Sequence, residues 1–389
     1  MSFESASRRA FPGLDLVRFF AALLVVGYHL GFWWWVSTNG HGGSLLGSDL
    51  AWLAPLAASG WVGVEIFFVL SGFVIAFSAE AKTARQFFES RALRLYPAAW
   101  ICATITLPTI GIAGRSGDYL RSLLLWPTGP WVSTVYWTLG VEICFYLLVG
   151  LTLLVWGARR LVTLGMVLGI VSSLYWLSRA ANFVAGGPFK PVFQSFDALR
   201  QIGELSLLPS GCLFGLGMMA REASRQRLSG PESCVAAMCL IGSMIAVAGR
   251  AHLFAGYYER PQVAVVAPLL WLAAMLAAWA SIRGARSPRP LLARHAATAR
   301  AVGLMTYPLY LVHHELGHTL MLGIASVGGT VAFLLAGGAM ILLAFAIAWL
   351  ERWPRALLAA AFDRIRGGGA AAGGSAGRTS RPPATDNPG

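Results

Sequence analysis

The sequence predicts an all-α, polytopic membrane protein of about ten transmembrane helices with both termini in the cytoplasm. Three observations lead there. Of 389 residues, 57% are hydrophobic and 12% charged, with a mean hydropathy of +0.63; a soluble domain averages about 25% charged residues. Ten apolar stretches approach the roughly 20 residues that cross ~30 Å of hydrocarbon. With the N-terminus placed inside and the stretches alternating, inside Lys and Arg outnumber outside ones by about three to one, the bias that fixes orientation.

The stretches lie near 14–36, 59–79, 95–113, 135–157, 161–178, 203–220, 233–253, 262–282, 300–322 and 328–350. The first is flanked by Trp33-Trp34-Trp35 and has no small-residue cleavage site, so it is expected to stay as a helix. Residues 1–355 form the membrane domain. Residues 356–389 form a cytoplasmic tail, expected to be disordered from about Gly367, where Gly, Ala, Ser and Pro take over. The net charge of +13 sits in short loops rather than on a basic stripe of a soluble fold, which argues against nucleic acid as a partner. Cys102, Cys144, Cys212, Cys234 and Cys239 show neither zinc-ribbon spacing nor a disulfide framework.

Polar residues inside these stretches are the candidates for chemistry, because an ionisable group in a membrane helix usually faces a protein interior or a wet cavity. In the first stretch Arg18 and His29 are eleven residues apart. At about 100° per residue they share one face, about 16 Å apart along the helix. The second stretch carries Glu65, with Ser71 and Gly72 allowing close helix contact. Arg91 and Arg94 share a helix face just before Tyr96-Pro97. Two guanidiniums there suit a phosphorylated ligand, and equally fit ordinary inside-positive charge. The fourth stretch begins Trp137-Thr138-Leu139 and places Glu142 and Tyr146 four residues apart on one face. A buried carboxylate there needs a partner, for which Arg18 and His29 are the candidates; a structural ion pair is the other reading. The ninth stretch contains Tyr307-Pro308-Leu309-Tyr310 and then His313-His314-Glu315-Leu316-Gly317-His318. His314 to His318 matches the H-E-x-x-H zinc pattern letter for letter, but no third-ligand motif accompanies it. These residues are read as the polar lining of a cavity, and no metal site is expected.

Taken in order, these motifs resemble the acyltransferase 3 family of integral-membrane O-acyltransferases, which includes O-antigen, exopolysaccharide and Nod-factor acetyltransferases. The matching elements are Leu14-Asp15 with Arg18 and Tyr28-His29, the run Gly60 to Phe73, Arg91 with Arg94-Leu95-Tyr96-Pro97, Trp137-Thr138-Leu139 with Glu142, and Tyr307 to His313. They extend over about residues 12–320. There are departures. Leu16 stands where glycine is frequent, Ile143 replaces a second acid, and Glu65 replaces a more usual aspartate. Many members also carry a soluble extracytoplasmic hydrolase-like domain after the last span, so this chain is expected to act without one or to borrow one.

The resemblance implies transfer of an acyl group, most simply acetyl, from cytoplasmic acyl-CoA to a hydroxyl of a glycan or glycolipid such as an exopolysaccharide or O-antigen. It places the protein in a bacterial inner membrane. Acyl-CoA (acetyl-CoA) would be a co-substrate, with no cofactor bound permanently; a lipid-linked sugar acceptor and membrane lipids are the other expected partners. His29 would act as general base or through a transient acyl-histidine. Glu142 would orient His29 or stabilise its cation. Arg18 would hold phosphate or steady the thioester oxyanion. Arg91 and Arg94 would hold the CoA phosphates. Glu65, Trp137, Tyr146, Tyr310 and His313 would lie on the substrate side. The alternative from another class is a proton-coupled transporter or flippase, with Arg18, His29, Glu65 and Glu142 forming the path.

Overall fold

The computed structural model describes residues 11–36, 49–111, 115–187, 200–284 and 295–373, and every regular element among them is helical. The main helices are α1 (Pro12–Tyr28), α2 (Val62–Ala79), α3 (Ala84–Ile110), α4 (Ser116–Leu123), α5 (Trp137–Val155), α6 (Leu161–Val184) and α7 (Gly211–Arg225). They continue with α8 (Gly230–Tyr257), α9 (Val263–Gly284), α10 (Ala296–Val312), α11 (Glu315–Gly323), α12 (Gly329–Leu350) and α13 (Arg352–Gly373). Local chemistry sets several starts. Pro12 opens α1, where a missing N–H costs nothing. Thr83 with Gln86, and Ser229 with Glu232, form capping boxes at α3 and α8.

Seven helical stretches among the described residues are long and apolar enough to cross a membrane: 12–33, 62–79, 134–155, 158–184, 230–257, 263–284 and 329–366. The other three expected spans are helical but are too polar, too short or broken. α3 carries Arg85, Glu89, Arg91 and Arg94 in its first turns. α7 is 15 residues long and ends in Arg221, Glu222 and Arg225. The stretch 300–322 is not one helix, because α10 stops at Val312 and α11 restarts at Glu315. At the other end, α13 carries the helical backbone to Gly373, past the Gly367 expected to begin disorder. Ala370-Ala371-Ala372, the best helix formers, follow the glycines there. The rest of the expected tail, 374–389, lies outside the described residues.

The bundle turns an apolar exterior outward. Leu147, Leu151 and Leu154 on α5, Leu269 and Leu276 on α9, and Leu334, Leu342 and Phe345 on α12 are all exposed. A protein in water does not present such a belt, and the protein is membrane-embedded. Inside, α1 lies between α2 and α10. A Cβ on Gly63 would strike the Ala21 carbonyl, and one on Gly303 would strike the Asp15 carboxylate. Only glycine lets α1 seat this closely on both neighbours. α2 in turn packs on α7, where Phe214 stacks on Phe145 of α5 at 4.2 Å.

Candidate active site

α1 does not end cleanly. Its last α-helical residue is Tyr28, and His29–Trp33 form a π turn before the chain resumes α-helix at Trp34. Such one-residue insertions frequently occur at functional sites. They re-aim the side chains that follow without breaking the rod. His29, the first residue of the turn, is half-buried. Its Nδ1 lies 3.1 Å from the Val25 carbonyl oxygen and 2.9 Å from Nε2 of His313. The His313 ring is itself held at Nδ1, 3.1 Å from the Leu309 carbonyl and 2.8 Å from the Tyr310 carbonyl. The ring of His314 meets His29 edge-on at 4.5 Å, and Trp33 closes another side at 6.1 Å.

Towards the middle of the bundle, Tyr310 Oη lies 3.0 Å from Thr138 Oγ1. One turn further along α5 is Glu142. Its Oε1 accepts hydrogen bonds from Ser71 at 2.9 Å and from Tyr146 at 2.5 Å. The expected pairing of Glu142 with His29 is therefore corrected: the carboxylate bonds to Ser71 and Tyr146, and the histidine's nitrogen faces His313. The physical reason lies in the packing, which puts α10 rather than α5 against α1. Trp137 opens α5, half-buried against the core.

At the end of the bundle where α1 begins, three guanidiniums gather. Arg18 has Arg94, Glu142, Asp15 and Tyr146 as electrostatic neighbours. The Arg91 guanidinium lies 5.9 Å from the Tyr146 ring and 5.8 Å from the Phe87 ring, and Nη2 donates to Ser78 at 3.2 Å. Arg94 lies 5.8 Å from the Tyr307 ring. Each keeps a buried nitrogen without a hydrogen-bond partner: Nε of Arg18, Nε of Arg91 and Nη1 of Arg94. Buried polar atoms are nearly always satisfied, and a charged donor left bare is costly. Three together make a place for an anion with several acceptor oxygens.

One expected residue falls elsewhere. Glu65, 2% exposed, is paired with Arg250 of α8, whose Nη2 also reaches Glu204 at 3.2 Å. That triad ties α2 to α8. Arg250 lies seven residues before the end of α8. The residues of the H-E-x-x-H match pack on their neighbours. His318 stacks on Trp34 at 3.8 Å with the rings 7° apart, while His314 Nδ1 sits 3.0 Å from Glu315. No group of three or more His, Cys, Asp or Glu that could hold a metal ion occurs among the described residues. Ser71, Thr138, Arg250 and Glu204 are partners that spacing alone did not assign. For Ser71 the signal was its mid-membrane hydroxyl; the others had none beyond being polar in apolar surroundings.

A basic cluster at one end, a histidine pair towards the other and a carboxylate between them lie together inside a membrane bundle. The acyltransferase domain profile Acyl_transf_3 matches residues 11–350, and the chain belongs to this acyltransferase 3 family. Among characterised proteins it is similar to Nodulation protein 10 of Rhizobium leguminosarum bv. viciae, with 28% identity over 235 residues. That match covers 53% of this chain and 58% of the relative. It is also similar to the putative peptidoglycan O-acetyltransferase YrhL of Bacillus subtilis (strain 168), 32% identical over 136 residues, which are 32% of this chain and 18% of the relative. Acyltransferase MdmB of Streptomyces mycarofaciens is 30% identical over 152 residues, 35% of this chain and 37% of the relative. The chain thus spans less than two thirds of each of these proteins. No solved structure matches it. Membership of this family leaves the transporter alternative without support.

Proposed function

We propose that the protein is a bacterial inner-membrane O-acyltransferase that moves an acyl group, acetyl in the simplest case, from cytoplasmic acyl-CoA to a hydroxyl of a glycan or lipid-linked sugar. In this reading about ten helices cross the membrane and both termini are cytoplasmic. α3, α7 and the broken α10–α11 pair join the seven apolar spans, their polar ends and breaks facing the protein interior. The observation that carries the proposal is the line along α1. Unsatisfied guanidinium nitrogens of Arg18, Arg91 and Arg94 cluster near its start, and His29 stands about 16 Å further along.

In this reading the three arginines, with Lys82 just before α3 and within reach of the Arg91 charge, hold the phosphates of acyl-CoA at the cytoplasmic mouth, and the pantetheine arm runs along α1. Nε2 of His29 takes the proton of the acceptor hydroxyl. The oxygen attacks the thioester carbon, the C–S bond breaks, and the proton is returned to the CoA thiolate. Glu142 keeps a role away from His29: it orders Ser71 and Tyr146 beside the passage and balances Arg18. The relatives' names include peptidoglycan O-acetyltransferases, which agrees with a glycan hydroxyl as acceptor.

The test is acyl-CoA-dependent release of free CoA by purified protein, with and without a glycan acceptor and without any ion gradient. His29→Ala should lose about 10²–10⁴-fold in turnover, the range of general-base catalysis, while still binding acyl-CoA. A folded His29→Ala protein turning over at the parent rate would end this reading.

A further inference from the structure

In a Ser-His-Asp triad a buried carboxylate fixes the tautomer of the catalytic histidine and stabilises its cation. No carboxylate among the described residues contacts His29, and the half of the ring where one would sit is filled by His313. The carbonyls around the two rings favour one placement of the protons. A carbonyl oxygen only accepts, so the nitrogen facing it must carry hydrogen. Nδ1 of His313 faces the Leu309 and Tyr310 carbonyls and is therefore protonated. In the neutral ring, Nε2 of His313 is then left with a lone pair. That lone pair faces Nδ1 of His29, which also faces the Val25 carbonyl and must itself carry hydrogen. The proton positions assigned from both ends agree, and Nε2 of His29 is left bare.

His313 is also the C-cap of α10, where the chain leaves the helix before α11 restarts at Glu315. The last carbonyls of a helix have no backbone donor and carry the negative end of its dipole. The His313 ring is docked on one of these, Tyr310 O. A positive charge arising on the imidazole pair would be met there by helix-end carbonyls.

We propose that His313 is a positioning residue that sets His29 in its Nδ1–H tautomer, and that the C-terminus of α10 takes the place of the triad carboxylate. When Nε2 of His29 takes the acceptor's proton, its Nδ1–H shortens towards Nε2 of His313 and the charge spreads onto the second ring. On collapse of the intermediate the same proton leaves from Nε2 to the CoA thiolate. The break between α10 and α11 leaves the Tyr310 carbonyl without the backbone N–H that a continuous helix through residue 314 would bring to it. The inference rests on His29 being the base.

Two measurements test it. In the first, His313→Ala should lower kcat by about 10²-fold or more and change KM for acyl-CoA by less than about threefold, because the donor site lies at the other end of α1. His313→Gln keeps an oxygen to accept from His29 and an amide to donate to the carbonyl, but cannot take a proton. It should recover part of the loss and fall between Ala and the parent. An Ala variant within about threefold of the parent kcat overturns the proposal. So does a Gln variant no better than Ala with acyl-CoA binding lost in both, the mark of a structural role. In the second, ¹⁵N NMR of histidine-labelled protein in bilayers should show His29 as the Nδ1–H tautomer, its signal assigned by its loss in His29→Ala. An Nε2–H tautomer overturns the proposal whether or not the protein turns over. If His29→Ala is inactive and His313→Ala is normal, this inference fails while the acyltransferase reading stands. If His29→Ala is fully active, the reading itself fails.

Discussion

Removing the guanidiniums of Arg91 and Arg94 should weaken acyl-CoA binding and leave saturated turnover nearly untouched. Each has a buried nitrogen with no protein partner, so a phosphate oxygen arriving there displaces no existing bond. A hydrogen bond to a charged group contributes about 1.5–3 kcal/mol, so losing one raises the dissociation constant roughly 10- to 150-fold. The double Ala variant should lose less than the sum, because both side chains address the same anion. Arg91 makes further contacts with Ser78, Phe87 and Tyr146, and truncation removes that packing as well. Arg91→Lys separates the two effects. It retains the charge and much of the stem but loses the planar fork, so an intermediate loss marks bidentate phosphate contact. The assay is equilibrium binding of acyl-CoA to purified protein beside steady-state kinetics. A group that binds a remote part of the substrate in ground state and transition state alike moves KM and spares kcat. A double Ala variant with parent affinity would return both residues to ordinary inside-positive charge and refute the donor site.

Two further outcomes follow from other parts of the molecule. Arg250→Ala strands Glu65, 2% exposed, without its counter-charge, and should cost about 3–5 kcal/mol, seen as a lower unfolding temperature in detergent; adding Glu65→Gln should return part of it, and an unchanged unfolding temperature would discount the triad. Burial, and then the neighbouring Arg91 charge, bring the Lys82 ammonium down to about 8. If it serves the donor phosphates, KM for acyl-CoA should rise from pH 7 to pH 9 as that charge is lost, and Lys82→Arg should flatten the profile; an equal rise in the Arg variant would disprove it.

The parts of the site that lie along one helix were legible from spacing. α1 is unbroken between Arg18 and Tyr28, so the eleven-residue interval keeps its meaning. Glu142 and Tyr146, one turn apart on α5, do touch. Contacts between helices were not legible in the same way. The pairing of His29 with His313 joins positions 284 apart, and nothing in either local pattern selects it over Glu142. The break at His313-His314 had no glycine to announce it, and Pro308 lies within α10. Arg250 was hidden for the opposite reason. A charge near a span's end reads as loop until its partner, Glu65 on another helix, is seen. Composition marked out the membrane domain, but it could not say which helices meet at full length and which are shortened or broken around the site.

The clamping of α1 by Gly63 on one side and Gly303 on the other makes this helix a fixed gauge. Arg18 and His29 stand on this one helix, so under the proposed function the donor has to span the interval between them. The gauge is also quantised. Adding one residue between Arg18 and His29 would lengthen it by only about 1.5 Å but swing His29 through about 100°, off the face it shares with the arginine. Workable changes come in steps of three or four residues, which alter the reach by about 5 Å at once. Under the proposed function, donor length and helix pitch are thereby locked together.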